Sequence, residues 1–137
     1  MTAAKLTVTV RMYNVGFGDA FLVTVGKGRQ KWRMIVDCGV HAHGQARPLE
    51  ESVNAIIDDL RTADLTRPPH VNVVVATHHH ADHIAGFALD AWQQVAVDEV
   101  WFPLSRTPRT KTQGSCAKRR RTPLSAWSAC STNARAG

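Results

Sequence analysis

No apolar run in these 137 residues approaches the roughly 20 positions that a membrane-spanning helix needs, so no span is expected. Met1 to Lys5 lead straight into the alternating Leu6-Thr7-Val8-Thr9-Val10 rather than into the apolar core of a secretion signal, which makes a cytoplasmic location the expectation. Cysteine is scarce. Cys38, Cys116 and Cys130 form neither a metal-type pair nor an even disulfide framework, and Cys38, inside an apolar run, reads as a buried free thiol. Two residue types run out along the chain: no histidine follows His83, and no acid follows Glu99.

A hydrophobic content of 44% is too high for a disordered chain, and the length suits one domain but not two. The formal charge of +6 points at first to a polyanionic partner, but the charge is unevenly placed. Residues 1–105 hold nine Lys/Arg and eleven Asp/Glu, a net of −2, whereas residues 106–137 hold eight Lys/Arg and no acid, a net of +8. All seven histidines lie between His41 and His83, outside that basic segment.

Hydrophobic periodicity divides the remainder. Leu6 to Met12 alternates as a half-buried strand, and Asn14-Val-Gly16-Phe-Gly18-Asp19 supplies turn chemistry. Ala20 to Val25 and Trp32 to Val36 read as two more strands joined by a polar hairpin loop. Pro48 with Glu50 and Glu51 opens a helix whose Val53, Ile56, Ile57 and Leu60 share one face. Val71 to Ala76 reads as a buried strand, Ile84 to Gln93 as a helix, and Val95 to Phe102 as a final strand stopped by Pro103. Such an order predicts an α/β domain with a mixed sheet and flanking helices over residues 1–105.

Thr77-His78-His79-His80-Ala81-Asp82-His83 follows the buried strand. Imidazole and carboxylate are the ligands zinc prefers, and four of them fall within six residues at a strand-to-loop junction, where α/β proteins place their sites. A solvated histidine-rich loop and a tag-like run are the bland alternatives. A tag is a pure run at a terminus, not a series interrupted by Ala-Asp behind a strand. The reading is therefore metal binding by His78, His80, Asp82 and His83, with His79 outside the ligand set as a loop residue or a contact of the ligands. His41 and His43 read as a solvated loop, and Trp92, Trp101 and Phe102 as core or interface aromatics.

The segment Thr77-His78-x-His80-x-Asp82-His83-x-x-Gly86 resembles the signature loop of the metallo-β-lactamase superfamily. Asn14-Val-Gly-Phe-Gly-Asp19-Ala-Phe-Leu-Val and Ile35-Val-Asp37-Cys-Gly39 match in order and spacing. Within that superfamily the likeness is nearest to the hydrolase-like domains of DNA-uptake channel proteins and their stand-alone relatives, over residues 6 to about 104. The resemblance implies an αββα sandwich and two zinc ions. His78 and His80 would hold the first and Asp82 and His83 the second, with Asp37 buttressing the loop. It also implies hydrolysis, with metal-activated hydroxide attacking an ester, phosphodiester or similar bond and Asp82 as the catalytic proton shuttle. Thr77 and Asp37 are expected to touch the ligands, although plain strand-end hydrogen bonding explains both equally well.

The family site also draws a third histidine, a bridging aspartate and a last histidine from later strands, whereas this sequence has no histidine after His83 and no acid after Glu99. The chain is accordingly expected to be the N-terminal portion of the sandwich, a truncated form unable to complete a dinuclear site. An uncovered sheet face would then favour self-association. Residues 106–137 have two readings: a disordered basic extension that contacts nucleic acid, or an out-of-frame translation, since codons can be chosen whose one-base shift gives a charge-balanced amphipathic helix. The expected partner is a small-molecule or phosphodiester substrate, with no membrane. A non-catalytic partial zinc module is the alternative to an enzyme, and nucleic-acid binding through the basic segment ranks below both.

Overall fold

A computed structural model describes residues 5–61 and 66–102. The basic segment 106–137, with both of its readings, Cys116 and Cys130 lies outside the described residues. Within them, five strands form one sheet in the order β1-β2-β3-β4-β5. Leu6–Met12 (β1), Ala20–Lys27 (β2) and Gln30–Cys38 (β3) make an antiparallel meander. After the helix Leu49–Leu60 (α1), His70–Val75 (β4) runs parallel to β3, and Ala96–Trp101 (β5) runs parallel to β4. The mixed α/β sheet is the one expected. Among the described residues a single sheet is present, one helix-covered layer of the implied sandwich. No helix among them is long and apolar enough to cross a membrane.

The turn after β1 forms as its chemistry predicts: Gly16 has a φ of 98°, and its N–H donates to Asn14 Oδ1 at 3.2 Å. Helix α1 starts after Pro48, which stands one position before the first helical residue, and Glu50 and Glu51 sit at the positive end of the dipole. Its other end is capped from the sheet. Arg33, 8% exposed on β3, donates from Nη1 to the Leu60 carbonyl at 2.7 Å, so a buried cation meets the negative end of the helix.

The stripe Val53, Ile56, Ile57 and Leu60 joins Leu22, Ile35 and Val74 in one core. Cross-strand partners point to the same face of a sheet, so the row Leu22, Ile35, Val74 marks the covered side. One residue along, the rows Val10, Val23, Met34, Val73, Glu99 and Met12, Phe21, Val36, Val75, Trp101 mark the other, where Val73 is only 5% exposed. There exposure climbs toward the β1 edge, reaching 61% at Val10 and 72% at Met12. All seven residues of β1 are exposed, a departure from the half-buried strand expected. Alternation identifies the apolar face of a strand but not whether anything covers it.

A second difference concerns residues 84–93, expected as one helix. The structure breaks this stretch into a four-residue helix, Ala81–Ile84 (α2), and two 3-10 turns, Ala85–Ala88 and Asp90–Gln94. Leu89, at φ −76° and ψ 140°, interrupts the helical path. The break lets Phe87 and Trp92, 2% and 1% exposed, both enter the core, with the Trp92 indole N–H donating to the Gly86 carbonyl at 2.8 Å. Tertiary burial outweighs helical periodicity here. Trp92 is the core aromatic expected, while Trp101 and Phe102 are 45% and 52% exposed.

Among the described residues the core cluster draws Leu49, Val53, Ile56, Ile57 and Leu60 from α1. Ile56→Ala is expected to destabilise the chain by about 2–5 kcal/mol, the range for an aliphatic truncation that leaves a cavity. Asn54→Ala, on the exposed side of the same helix, should change stability by no more than about 0.5 kcal/mol. Urea unfolding of the two variants against the parent checks both.

Candidate metal centre

Strands β3 and β4 run parallel and in register through Val36 and Val75, so their carboxyl ends emerge side by side. The histidine loop leaves from the second, and Asp37 stands at the end of the first. Asp37 adopts φ 56°, a conformation that an L-residue with a Cβ holds only when its surroundings fix it. Its carboxylate, on a residue 3% exposed, is fully engaged. Oδ1 accepts the Thr77 N–H at 2.7 Å, and Oδ2 accepts the Thr77 hydroxyl at 2.5 Å and the His83 Nδ1 proton at 2.9 Å. One buried side chain thus joins the end of β3, the end of β4 and α2. Asp37 and Thr77, the two residues expected to touch the ligands, thus bond to each other, and Asp37 also bonds to His83.

The backbone approach is as close as the side-chain contacts. A Cβ added at Gly39 would lie 2.4 Å from the Ala81 carbonyl oxygen and 2.6 Å from the His83 nitrogen. One added at Gly86 would lie 2.6 Å from Cys38 Sγ and 2.7 Å from its carbonyl oxygen. Only glycine lets the two segments meet at both points. Cys38 itself supplies no ligand. Burial, followed by the neighbouring Asp37 charge, pushes its thiol up to about 12, so it stays a neutral SH.

With Nδ1 given to Asp37, the free nitrogen of His83 is Nε2, and the Asp82 Oδ2 oxygen lies 3.5 Å from it. Carboxylate-to-histidine contacts of this kind fix tautomer and ring orientation at metal sites. The Asp37 hydrogen bond raises the His83 pKa above the ordinary histidine value, burial opposes the rise, and the Asp37, Asp82 and Asp19 charges add to it. On the other side of the loop, His78 and His80 have ring centroids 4.2 Å apart, and His78 lies 5.5 Å from His83. The four sequence-predicted donors therefore converge on one loop surface, in two pairs. A nitrogen of His79 also comes within 4.8 Å of those of His78 and His80, and its ring stacks on His78 at 4.9 Å. His41 and His43 are exposed, and neither belongs to a cluster of metal-ligating groups among the described residues.

Asp19, Asp37 and His83 form a second cluster of donor atoms, in which the two inner groups are already bonded to each other. Asp37 already accepts three protein hydrogen bonds, and His83 faces it through Nδ1. A donor set that fits is the outward one, His83 Nε2 with Asp82 Oδ2, and His78 with His80. Imidazole and carboxylate together match a borderline divalent cation such as zinc.

The sequence marks the Asn14–Asp19 turn but gives Asp19 no place beside the histidine loop, where the structure puts it. Its N–H donates to the Asp82 carbonyl at 3.1 Å, and its own carbonyl accepts the Gly39 N–H at 3.1 Å. Its carboxylate Oδ2 lies 3.6 Å from His83 Nδ1. The signal was the acid closing Gly16-Phe-Gly18-Asp19, a turn with no evident need for a charge.

The family model for the metallo-beta-lactamase superfamily matches residues 13–89, a span that takes in Asp19, Asp37 and the whole histidine loop. No curated protein and no solved structure gives a significant match.

The contact network makes a graded prediction for metal affinity. Asp37→Asn, which leaves His83 without its anionic acceptor, should weaken zinc binding about 10- to 100-fold. Asp19→Asn should weaken it less, because Asp19 makes no hydrogen bond to the ring. Competition against a chelating dye checks the order, with circular dichroism confirming that the fold persists.

Proposed function

The chain belongs to the metallo-β-lactamase superfamily, and we propose that it is a zinc-dependent hydrolase module whose cations are held by His78, His80, Asp82 and His83. The observation that carries this reading is the orientation of His83. A histidine on a merely solvated loop has no reason to be clamped through one nitrogen by a buried carboxylate. Here the clamp leaves the other nitrogen facing Asp82 Oδ2, a pair able to close on one ion. When bound, zinc supplies Lewis acidity toward a carbonyl or phosphoryl oxygen and makes hydroxide available near neutral pH.

The remaining roles fall to the chain's own groups. The Asp82 side chain, 37% exposed, reaches solvent while its backbone is tied to Asp19, so its carboxylate can take a proton from attacking water at a fixed position. Asp37 and Thr77 hold the loop and hand no proton to substrate, since their polar atoms are spent on each other and on His83. The substrate class is an ester, a phosphodiester or a similar bond, reached from the open side of the loop where His78 and His80 are exposed.

A second reading, a non-catalytic module with a partial zinc site, is favoured by one observation: His78 and His80 are exposed and cluster only with His79 among the described residues. Metal content and turnover separate the two. Two zinc ions per chain, with hydrolysis of p-nitrophenyl esters or bis(p-nitrophenyl) phosphate that falls about 10²- to 10⁴-fold in Asp82→Asn, support the enzyme. One weakly held zinc without turnover establishes the partial module, and no zinc at all removes both.

A further inference from the structure

The parallel strands β3 and β4 have a second pair of ends, their amino ends, opposite the histidine loop. A cavity of about 380 Å³ opens there, lined by Arg29, Lys31, Arg33, Arg67 and His70. No acid lines it among the described residues. Asp98, which meets its rim through His70, is already engaged, by His70 Nε2 at 3.0 Å and by the Asn72 amide at 3.1 Å. Arg29 and Lys31 are exposed and pair with no acid among the described residues.

Arg33 is the fixed donor of the set. It is 8% exposed, and its guanidinium gives one N–H, from Nη1, to the Leu60 carbonyl at 2.7 Å. Among the described residues no buried side-chain nitrogen lacks a partner, so the Arg33 donors that make no bond open on the space this side chain lines. A guanidinium held by one bond, with others turned toward a cavity, is preorganised to grip an oxyanion. Lys31 lies two residues along β3 and therefore on the same face. An adjoining hollow of about 310 Å³ shares Lys31 and Arg33 and runs past Thr9 and Thr24.

Three cations around one cavity suit a group with more than one negative charge. A phosphomonoester carries about −1.5 to −2 at neutral pH on three acceptor oxygens, whereas a diester carries a single charge. The hydroxyl-lined hollow beside it suits a hydroxylated remainder. We infer that this cavity binds the phosphate of a small sugar phosphate through Arg29, Lys31 and Arg33, with the sugar hydroxyls toward Thr9 and Thr24. This inference does not rest on the metal centre.

An NMR titration of the full chain with ribose 5-phosphate tests it, with a chelator present so that no metal ion holds the anion. Saturable shifts are expected at the amides of residues 29–33 and 70–72. Arg29→Ala and Lys31→Ala, both at exposed positions, should each weaken binding about 10-fold, as the loss of one charge-assisted hydrogen bond does. Lys27→Ala, in the same hairpin but on the other face of the sheet, should leave it unchanged. Equal weakening by Lys27→Ala and Lys31→Ala overturns the inference, because diffuse charge then attracts the ligand. Dimethyl phosphate binding as tightly as ribose 5-phosphate overturns it too, as does the absence of saturable shifts at these amides.

Discussion

The carboxylate of Asp37 is the contact on which the site depends. A buried carboxylate is costly unless its oxygens are paired, and here both accept hydrogen bonds from Thr77 and one also from His83. The cost of burial becomes positional information. The three bonds tie the end of β3, the start of the histidine loop and α2 to one another. The left-handed backbone at Asp37 fits the same account, because it turns the side chain across the strand ends and the surrounding bonds hold it there.

This lock works because the sheet beneath it is firm on one side only. The parallel pair β3 and β4 is pressed by α1 against a core in which Ile35 and Val74 are fully buried, so the two strand ends cannot shift relative to each other. Arg33 adds to the same end of the structure by capping α1 from within β3. At the other side of the sheet, β1 contributes a hydrogen-bonded edge and little burial. One tie draws it to α1: Asp59 accepts from the Tyr13 hydroxyl at 2.5 Å and pairs with Arg11 at 2.8 Å. Burial and the Asp59 charge both raise the Tyr13 pKa, which keeps that hydroxyl protonated as the donor.

Much of this was legible in the sequence, for identifiable reasons. Strand alternation, the four-residue stripe of α1 and the His-x-His-x-Asp-His spacing are local patterns, and local patterns survive folding. What was not legible depended on distant partners. The stretch 84–93 has helical spacing, yet Phe87 and Trp92 both reach the core only when the path breaks at Leu89. Alternation in β1 marks an apolar face without saying whether the fold covers it. Asp19 lies more than sixty positions from the histidine it approaches, next to a register shift at Ala20 and Phe21, and backbone bonds to Asp82 and Gly39 hold it there.

The same geometry makes the proposed metal positions unequal. His83 is oriented by a part-buried hydrogen bond, and the Asp82 backbone is held by the bond from Asp19 N–H to its carbonyl, so His83 loses little freedom on closing around an ion. His78 and His80 stand exposed on the outer turn, restrained mainly by ring contacts with each other and with His79. Ordering them costs side-chain entropy that His83 has already given up on folding. Preorganisation therefore favours the Asp82–His83 position as the one to fill first, and the His78–His80 position as the one whose occupancy depends on further donors. The clustering of acid and hydrogen bond behind His83, and not the count of histidines in front, is what distinguishes this loop from a histidine-rich surface turn.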